Sequence, residues 1–173
     1  MRICLYSGPS AGKSTLASYV FSHLKMRGLN IELISEYVKT WAYENRPLRG
    51  CDQFYIFAKQ WRKEDIILRN GVEHLVTDSP LILQCAYAKK YGARGWKNIL
   101  NMALEIEKDT PAINIFLSRV HGKYQNQGRY QTEKEALELD DYFKNFLTEN
   151  SVNFDIIPND GETILKHVVE RIK

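Results

Sequence analysis

The sequence predicts an α/β fold, a five-stranded parallel sheet with helices on both faces and a mobile lid. Strand-length apolar runs alternate along the chain with longer segments whose apolar residues recur at helical spacing, the pattern of a parallel sheet covered on both sides. At 173 residues with 44% hydrophobic and 26% charged, the chain makes one domain with a sizeable core and is too apolar to be disordered. Its longest unbroken apolar run is Phe54–Ala58, too short for the ~20 residues a membrane span needs.

The elements follow in order. Ile3–Tyr6 reads as a short buried strand. Residues 13–27 place Leu16, Ala17, Val20, Phe21 and Leu24 on a helical face and stop at Gly28, a natural C-cap. Ile31–Ser35 is a second strand, followed by a short helix or turn through Trp41. Cys51–Asn70 is a long helix closed by Gly71, and His74–Thr77 a third strand. Residues 81–91 and 95–108 form helices broken at Gly92. Ala112–Leu117, after Pro111, is the fourth strand. A helix over 133–149 leads to strand Val152–Ile157, and Ile164, Leu165, Val168, Val169 and Ile172 mark one stripe of a last helix.

Lys and Arg number 24 against 21 Asp and Glu, a net charge of +3 that identifies no nucleic-acid binder by itself. Its distribution is uneven. Residues 118–131 hold Arg119, Lys123 and Arg129 and no acid, whereas residues 132–142 hold Glu133, Glu135, Glu138, Asp140 and Asp141 against Lys134 alone. Cys4, Cys51 and Cys85 show no CxxC spacing, which argues against a disulfide framework or zinc site. With no charged-then-apolar leader in view, a cytoplasmic location and no membrane partner are expected, in the host cytoplasm if the protein is viral.

The sharpest motif is Ser7-Gly8-Pro9-Ser10-Ala11-Gly12-Lys13-Ser14-Thr15, between the first strand and first helix. Gly12, Lys13 and Ser14 match the G-x-x-x-x-G-K-[ST] pattern, and Ser7 stands where its first glycine belongs. A loop entering a helix N-terminus offers unpaired N–H groups and the positive end of the helix dipole, together an anion cradle. Gly12 lets backbone approach a phosphate, Lys13 supplies charge for the β- and γ-phosphates, and the Ser14 hydroxyl suits Mg²⁺. Gly8, one position late, is expected to restore the flexibility lost at Ser7.

With this loop, the strand-end ISEYVKTW (34–41), LVTDSP (75–80) and YQNQGRYQTEKEALELD (124–140), the chain resembles the P-loop nucleoside and nucleotide kinase superfamily. Within it, the resemblance is to the ribosylnicotinamide-kinase-like (NadR-like) AAA-type group, which includes many small bacteriophage proteins. The likeness implies a P-loop NTPase fold that binds ATP and Mg²⁺. Glu36, at the end of the second strand, stands where these kinases keep an acid near the acceptor hydroxyl. In a parallel sheet that strand end shares a crevice with the phosphate loop. Asp78 matches a Walker-B-type position for Mg²⁺, although Asp78-Ser79-Pro80 lacks the arginine often found there; the other reading of Asp78 is an N-cap of the 81–91 helix. Arg119 and Arg129 bracket a segment resembling the lid of these kinases. There guanidinium groups would stabilise the transferring phosphoryl, with Gly122 and Gly128 as hinges, Lys123 a further cation and His121 a loop residue.

On the 51–70 helix, Gln53, Phe57, Gln60 and Glu64 share a face, where amides and an aromatic ring would bind and stack a base, as in deoxyribonucleoside kinases. Phe54, Ala58 and Trp61 form the neighbouring apolar stripe, read as core, and Trp41 and Tyr43 would close the pocket. The expected function is transfer of the ATP γ-phosphate to a nucleoside- or nucleotide-type acceptor, free or within DNA, for instance the hydroxymethyl group of a modified pyrimidine in phage DNA. A regulatory ATP-binding module and an acceptor-independent NTPase remain the alternatives.

Overall fold

The computed structural model describes residues 1–120, 124–125, 127 and 130–172. In chain order the elements are β1 (Arg2–Tyr6), α1 (Lys13–Met26), β2 (Ile31–Ile34), α2 (Lys39–Tyr43), α3 (Asp52–Arg69), β3 (His74–Thr77), α4 (Leu81–Lys90), α5 (Trp96–Asp109), β4 (Ala112–Ser118), α6 (Glu133–Glu149), β5 (Asp155–Pro158) and α7 (Gly161–Val169). Among the described residues the strands form one five-stranded sheet of order β2-β3-β1-β4-β5, every pairing parallel.

The period-two alternation of the strands sorts the core into two layers. Ile3 and Leu5 of β1, with Ile113, Ile115 and Leu117 of β4, meet Leu16, Val20 and Leu24 of α1 and Ile164, Leu165 and Val168 of α7. Cys4, Tyr6 and Phe116 face the other way, onto Phe57 of α3, Leu81 and Cys85 of α4, Leu100 of α5 and Phe143 of α6. The helices therefore cover both faces.

Three sequence expectations need correction. The last strand begins at Asp155 instead of Val152, because the Val152 N–H bonds the Leu147 carbonyl in the C-terminal turn of α6 and its side chain is buried among the α3–α6 helices. On α7, Ile164, Leu165 and Val168 are buried, while Val169 is exposed. On α3, Ala58 is exposed and the buried face is the one carrying Gln53, Ile56, Phe57, Gln60 and Glu64. Two members of that polar stripe find partners on the sheet. Glu64 lies 3.0 Å from Arg2 of β1, and the Gln60 amide donates to Thr77 Oγ1 of β3 at 3.3 Å.

Candidate active site

The C-terminal ends of the strands converge on a cavity of about 300 Å³. From the end of β1 comes the loop 7–12; Glu36 follows β2, Asp78 follows β3, and Asn159 follows β5, all but residues 7 and 8 of the loop reaching the cavity wall. At the loop, Ser10 and Gly12 have φ of +63° and +89°, and this reversal delivers the chain into α1. Gly12 is the N-cap of α1, no side chain caps it, and no acid sits in the first turn. The first-turn N–H groups, which no helix satisfies internally, thus belong to a positive helix end that lines the cavity with Lys13, Ser14 and Thr15.

Lys13 folds over the loop, its ammonium donating to the Ser7 carbonyl at 2.8 Å and the Gly8 carbonyl at 2.9 Å. Ser7 is fully buried, and its hydroxyl donates to the Gly8 carbonyl. Gly8 is not the flexible joint expected of it. It is absent from the positive-φ positions, and a Cβ there would lie 2.4 Å from the Ala136 carbonyl oxygen of α6. Close packing of backbone on backbone is what requires glycine here.

Asp78 is buried and its carboxylate accepts the Glu36 N–H at 2.9 Å, joining the ends of β2 and β3. It does not cap the following helix: the N-cap of α4 is Pro80, without a side-chain cap bond. Next to it, the Thr77 hydroxyl accepts from the Ser79 N–H and Ser79 Oγ accepts from the Gln84 amide.

Away from the loop, the cavity is lined by Val38, Leu48, Gln53, Ile56, Gln84, Tyr87, Tyr91, Tyr130 and Gln131. Gln53 is 2% exposed and its Oε1 has no hydrogen-bond partner. Tyr87 and Tyr91 stack at 6.0 Å with an interplanar angle of 8°. Burial raises the Tyr91 and Tyr130 hydroxyls above their ordinary pKa, keeping both neutral. The Tyr130 hydroxyl donates to the Arg46 carbonyl, the Gln131 amide to the Tyr91 hydroxyl, and the Gln125 N–H to Ser10 Oγ, so these three residues bond to the segment after α2, the end of α4 and the loop 7–12.

Lys13, Glu36, Gln53 and Asp78 are thus brought together with loop residues 9–15. Others are not. Phe57, 2% exposed, packs in the core, the buried Gln60 donates its amide to Thr77, and Trp41 is buried beneath the Arg46 guanidinium, 3.4 Å from its ring centre; none lines the cavity. Gln53 reaches the cavity where Phe57 and Gln60 do not because it lies in the first turn of α3, nearest the strand ends. Arg119 is likewise outside the lining, paired with Asp140 of α6 and donating to the Pro9 carbonyl at 2.8 Å. His121, Gly122, Lys123, Gly128 and Arg129 lie outside the described residues. Gln84 escaped the sequence reading although it is the one polar residue in the run Leu81–Ala88 apart from the Tyr87 hydroxyl, a signal that could have found it. Asp140 was visible only as one of a run of acids.

An uncapped helix N-terminus, a lysine, a first-turn serine hydroxyl and a buried carboxylate one strand away form a donor set that fits a polyphosphate with a divalent cation. Among the described residues no helix is long and apolar enough to cross a membrane.

Comparison with known proteins agrees with this fold. No curated protein sequence matches. Among solved structures, the NadR protein in complex with NR superposes with a TM-score of 0.74 at 14% identity, over 99% of this chain and 52% of that one. The chain thus spans about half the length of that protein. Thymidylate kinase from Ehrlichia chaffeensis gives a TM-score of 0.66 at 15% identity, covering 100% and 98% of the two chains. Deoxyadenosine kinase from M. mycoides, with dCMP and dCDP bound, gives 0.59 at 16%, covering 99% and 98%. A family model described as an AAA domain matches residues 2–163. The chain therefore belongs to the AAA domain family and is built on the fold of the P-loop nucleoside and nucleotide kinases.

Proposed function

We propose that the protein is an ATP- and Mg²⁺-dependent kinase that phosphorylates a nucleoside- or nucleotide-type acceptor, in one domain over residues 1–173 with residues 118–131 as its lid. The observation that carries this reading is one cavity holding both the phosphate-loop donors and, beyond Glu36, an end built of carboxamides and tyrosines. Bound ATP·Mg²⁺ would supply the phosphoryl group and neutralise charge during its transfer. The N–H groups of residues 9–15 and Lys13 would hold the phosphates, and Ser14 and Asp78 the metal. Asp78 also fixes Glu36 through its backbone, so the Glu36 carboxylate is positioned to take the proton of an acceptor hydroxyl. The partnerless Gln53 carbonyl calls for a donor from the acceptor, such as an N–H on the edge of a base, and Tyr87 and Tyr91 offer aromatic wall to its ring. Phe57, Gln60 and Trp41 act from behind that wall. Arg129 is the lid cation for the developing charge.

An acceptor within DNA is favoured by one feature. On α2, α3 and the loop between them, the Trp41 and Tyr55 rings stack on each other between the Arg46 and Lys59 cations, next to Lys39 and Ala42 of the cavity wall. The two cations, with Lys39, would contact phosphates there.

The test is transfer of label from [γ-³²P]ATP to nucleosides, nucleoside monophosphates, ribosylnicotinamide, and DNA with or without hydroxymethyl-pyrimidines. Labelling of one acceptor, lost in Glu36→Gln while ATP binding persists, is the expected result. Phosphate release that ignores every acceptor, or transfer undiminished in Glu36→Gln, would overturn it. If the acceptor is DNA, activity should fall steeply between low and moderate salt; a flat salt response would leave only the free acceptor.

A further inference from the structure

The loop that meets the phosphates is held from behind by a partly buried ion pair that no motif marks. Asp140, 7% exposed on α6, accepts the Gly8 N–H with one carboxylate oxygen and Arg119 Nε with the other, each at 2.5 Å. The same guanidinium donates through Nη2 to the Pro9 carbonyl at 2.8 Å. In front, Lys13 donates to the carbonyls of Ser7 and Gly8. The backbone of residues 7–9 is thus gripped on two sides, and Gly8 has no room to retreat from α6.

We infer that Asp140 is a positioning residue for the phosphate loop and that Arg119 serves it as counter-ion and second clasp, in place of a direct role on the transferring phosphoryl. Electrostatics gives the reason for the pair. A lone carboxylate bonded to a phosphate-loop N–H would repel the phosphates that the loop collects, and in a largely buried setting that repulsion is weakly screened. Arg119 cancels it, so the loop gains a rigid anchor without losing its attraction for anions. Geometry supplies a further consequence. Arg119 follows β4 and Asp140 lies on α6, so the pair also ties the end of β4 to the helix that Tyr130 and Gln131 of the cavity wall precede.

The inference rests on the loop's proposed role in holding nucleotide, and it makes a prediction of sign. Arg119→Met leaves Asp140 unpaired beside the loop and should weaken ATP·Mg²⁺ binding by about tenfold or more, the scale of one charge-assisted hydrogen bond plus the repulsion. Adding Asp140→Asn removes the repulsion, so the double variant should bind ATP more tightly than Arg119→Met alone. Arg119→Lys keeps the charge but not the fork that spans Asp140 and Pro9, and should recover only part of the affinity. These affinities come from calorimetry, with kcat measured separately. In nucleotide-free protein, hydrogen exchange of residues 7–12 should speed up in Asp140→Asn. A double variant no tighter than Arg119→Met, with kcat collapsing at unchanged affinity, would return Arg119 to the transition state and overturn the inference. Unchanged exchange in Asp140→Asn would overturn it as well. If the wild type itself binds no ATP, the kinase reading fails, while exchange still decides whether Asp140 braces the loop.

Discussion

Gly8 and Gly12 flank the same turn, and each excludes a side chain for its own reason. At Gly12 the obstacle is conformational: φ is +89°, yet a Cβ would meet only ordinary contact with Leu16. Gly12→Ala should therefore cost about 1–2 kcal/mol, the penalty of left-handed backbone for an L-residue, and leave α6 in place. At Gly8 the obstacle is the Ala136 carbonyl, which cannot swing aside as a side chain would. Gly8→Ala is expected to lose more stability than Gly12→Ala in urea titrations and to loosen α6 in hydrogen exchange; the reverse order would contradict the packing. Gly12, Lys13 and Ser14 were legible in the sequence because phosphate chemistry demands those residue types at fixed spacing. Asp140 was not, since it stands 132 positions from the N–H it holds and no local pattern links the two. Gly8 was noticed for the wrong property: its bare Cα matters here, not its freedom of rotation.

Among the elements, α3 departs most from the expected pattern. Its periodicity is that of an amphipathic helix, but it turns Gln53, Gln60 and Glu64 inward. No reading of the helix alone reveals this, because the partners Arg2 and Thr77 belong to β1 and β3. The Arg2 and Glu64 side chains are each 2% exposed, so removing one partner strands the other. Arg2→Met should destabilise by about 3–5 kcal/mol by leaving the carboxylate without its counter-ion, and joint replacement of both by Met by much less. Burial pushes the Glu64 carboxyl up to about 7, with Arg2 pulling it back. A folded-state pKa above the unfolded value of 4.5 means that the native chain binds the extra proton between those limits. The contribution of this group to stability is thus full below pH 4.5 and is lost as pH rises through 7. Urea midpoints at pH 5 and pH 8 should accordingly show the wild type losing stability relative to Glu64→Gln as pH rises. Parallel pH profiles would show that Glu64 titrates normally.

At the scale of the molecule, alternation of strands and helices announced a parallel sheet, and the loop located its working edge. The acceptor end was harder to read, because Gln84 and Tyr87 of α4 and Tyr91 at its C-cap converge with Gln53 of α3 only after both helices dock on the sheet. A ligand seated among such distant segments binds the folded chain alone. At a hundredfold excess over Kd it stabilises by about 2.7 kcal/mol, a rise in Tm of roughly 7 °C for a chain of this size. ATP·Mg²⁺ should produce that rise in the wild type and none in Lys13→Ala; equal shifts in both would place the nucleotide elsewhere. The sheet order has a last consequence, in time. β1 lies between β3 and β4, and its loop is clasped by α6, all of which follow it in the chain. During synthesis the phosphate loop is thus among the earlier parts made and the last completed. Nucleotide can give no help to the nascent chain until Asp140 has left the ribosome, and until β4 emerges the central strand waits with an open edge.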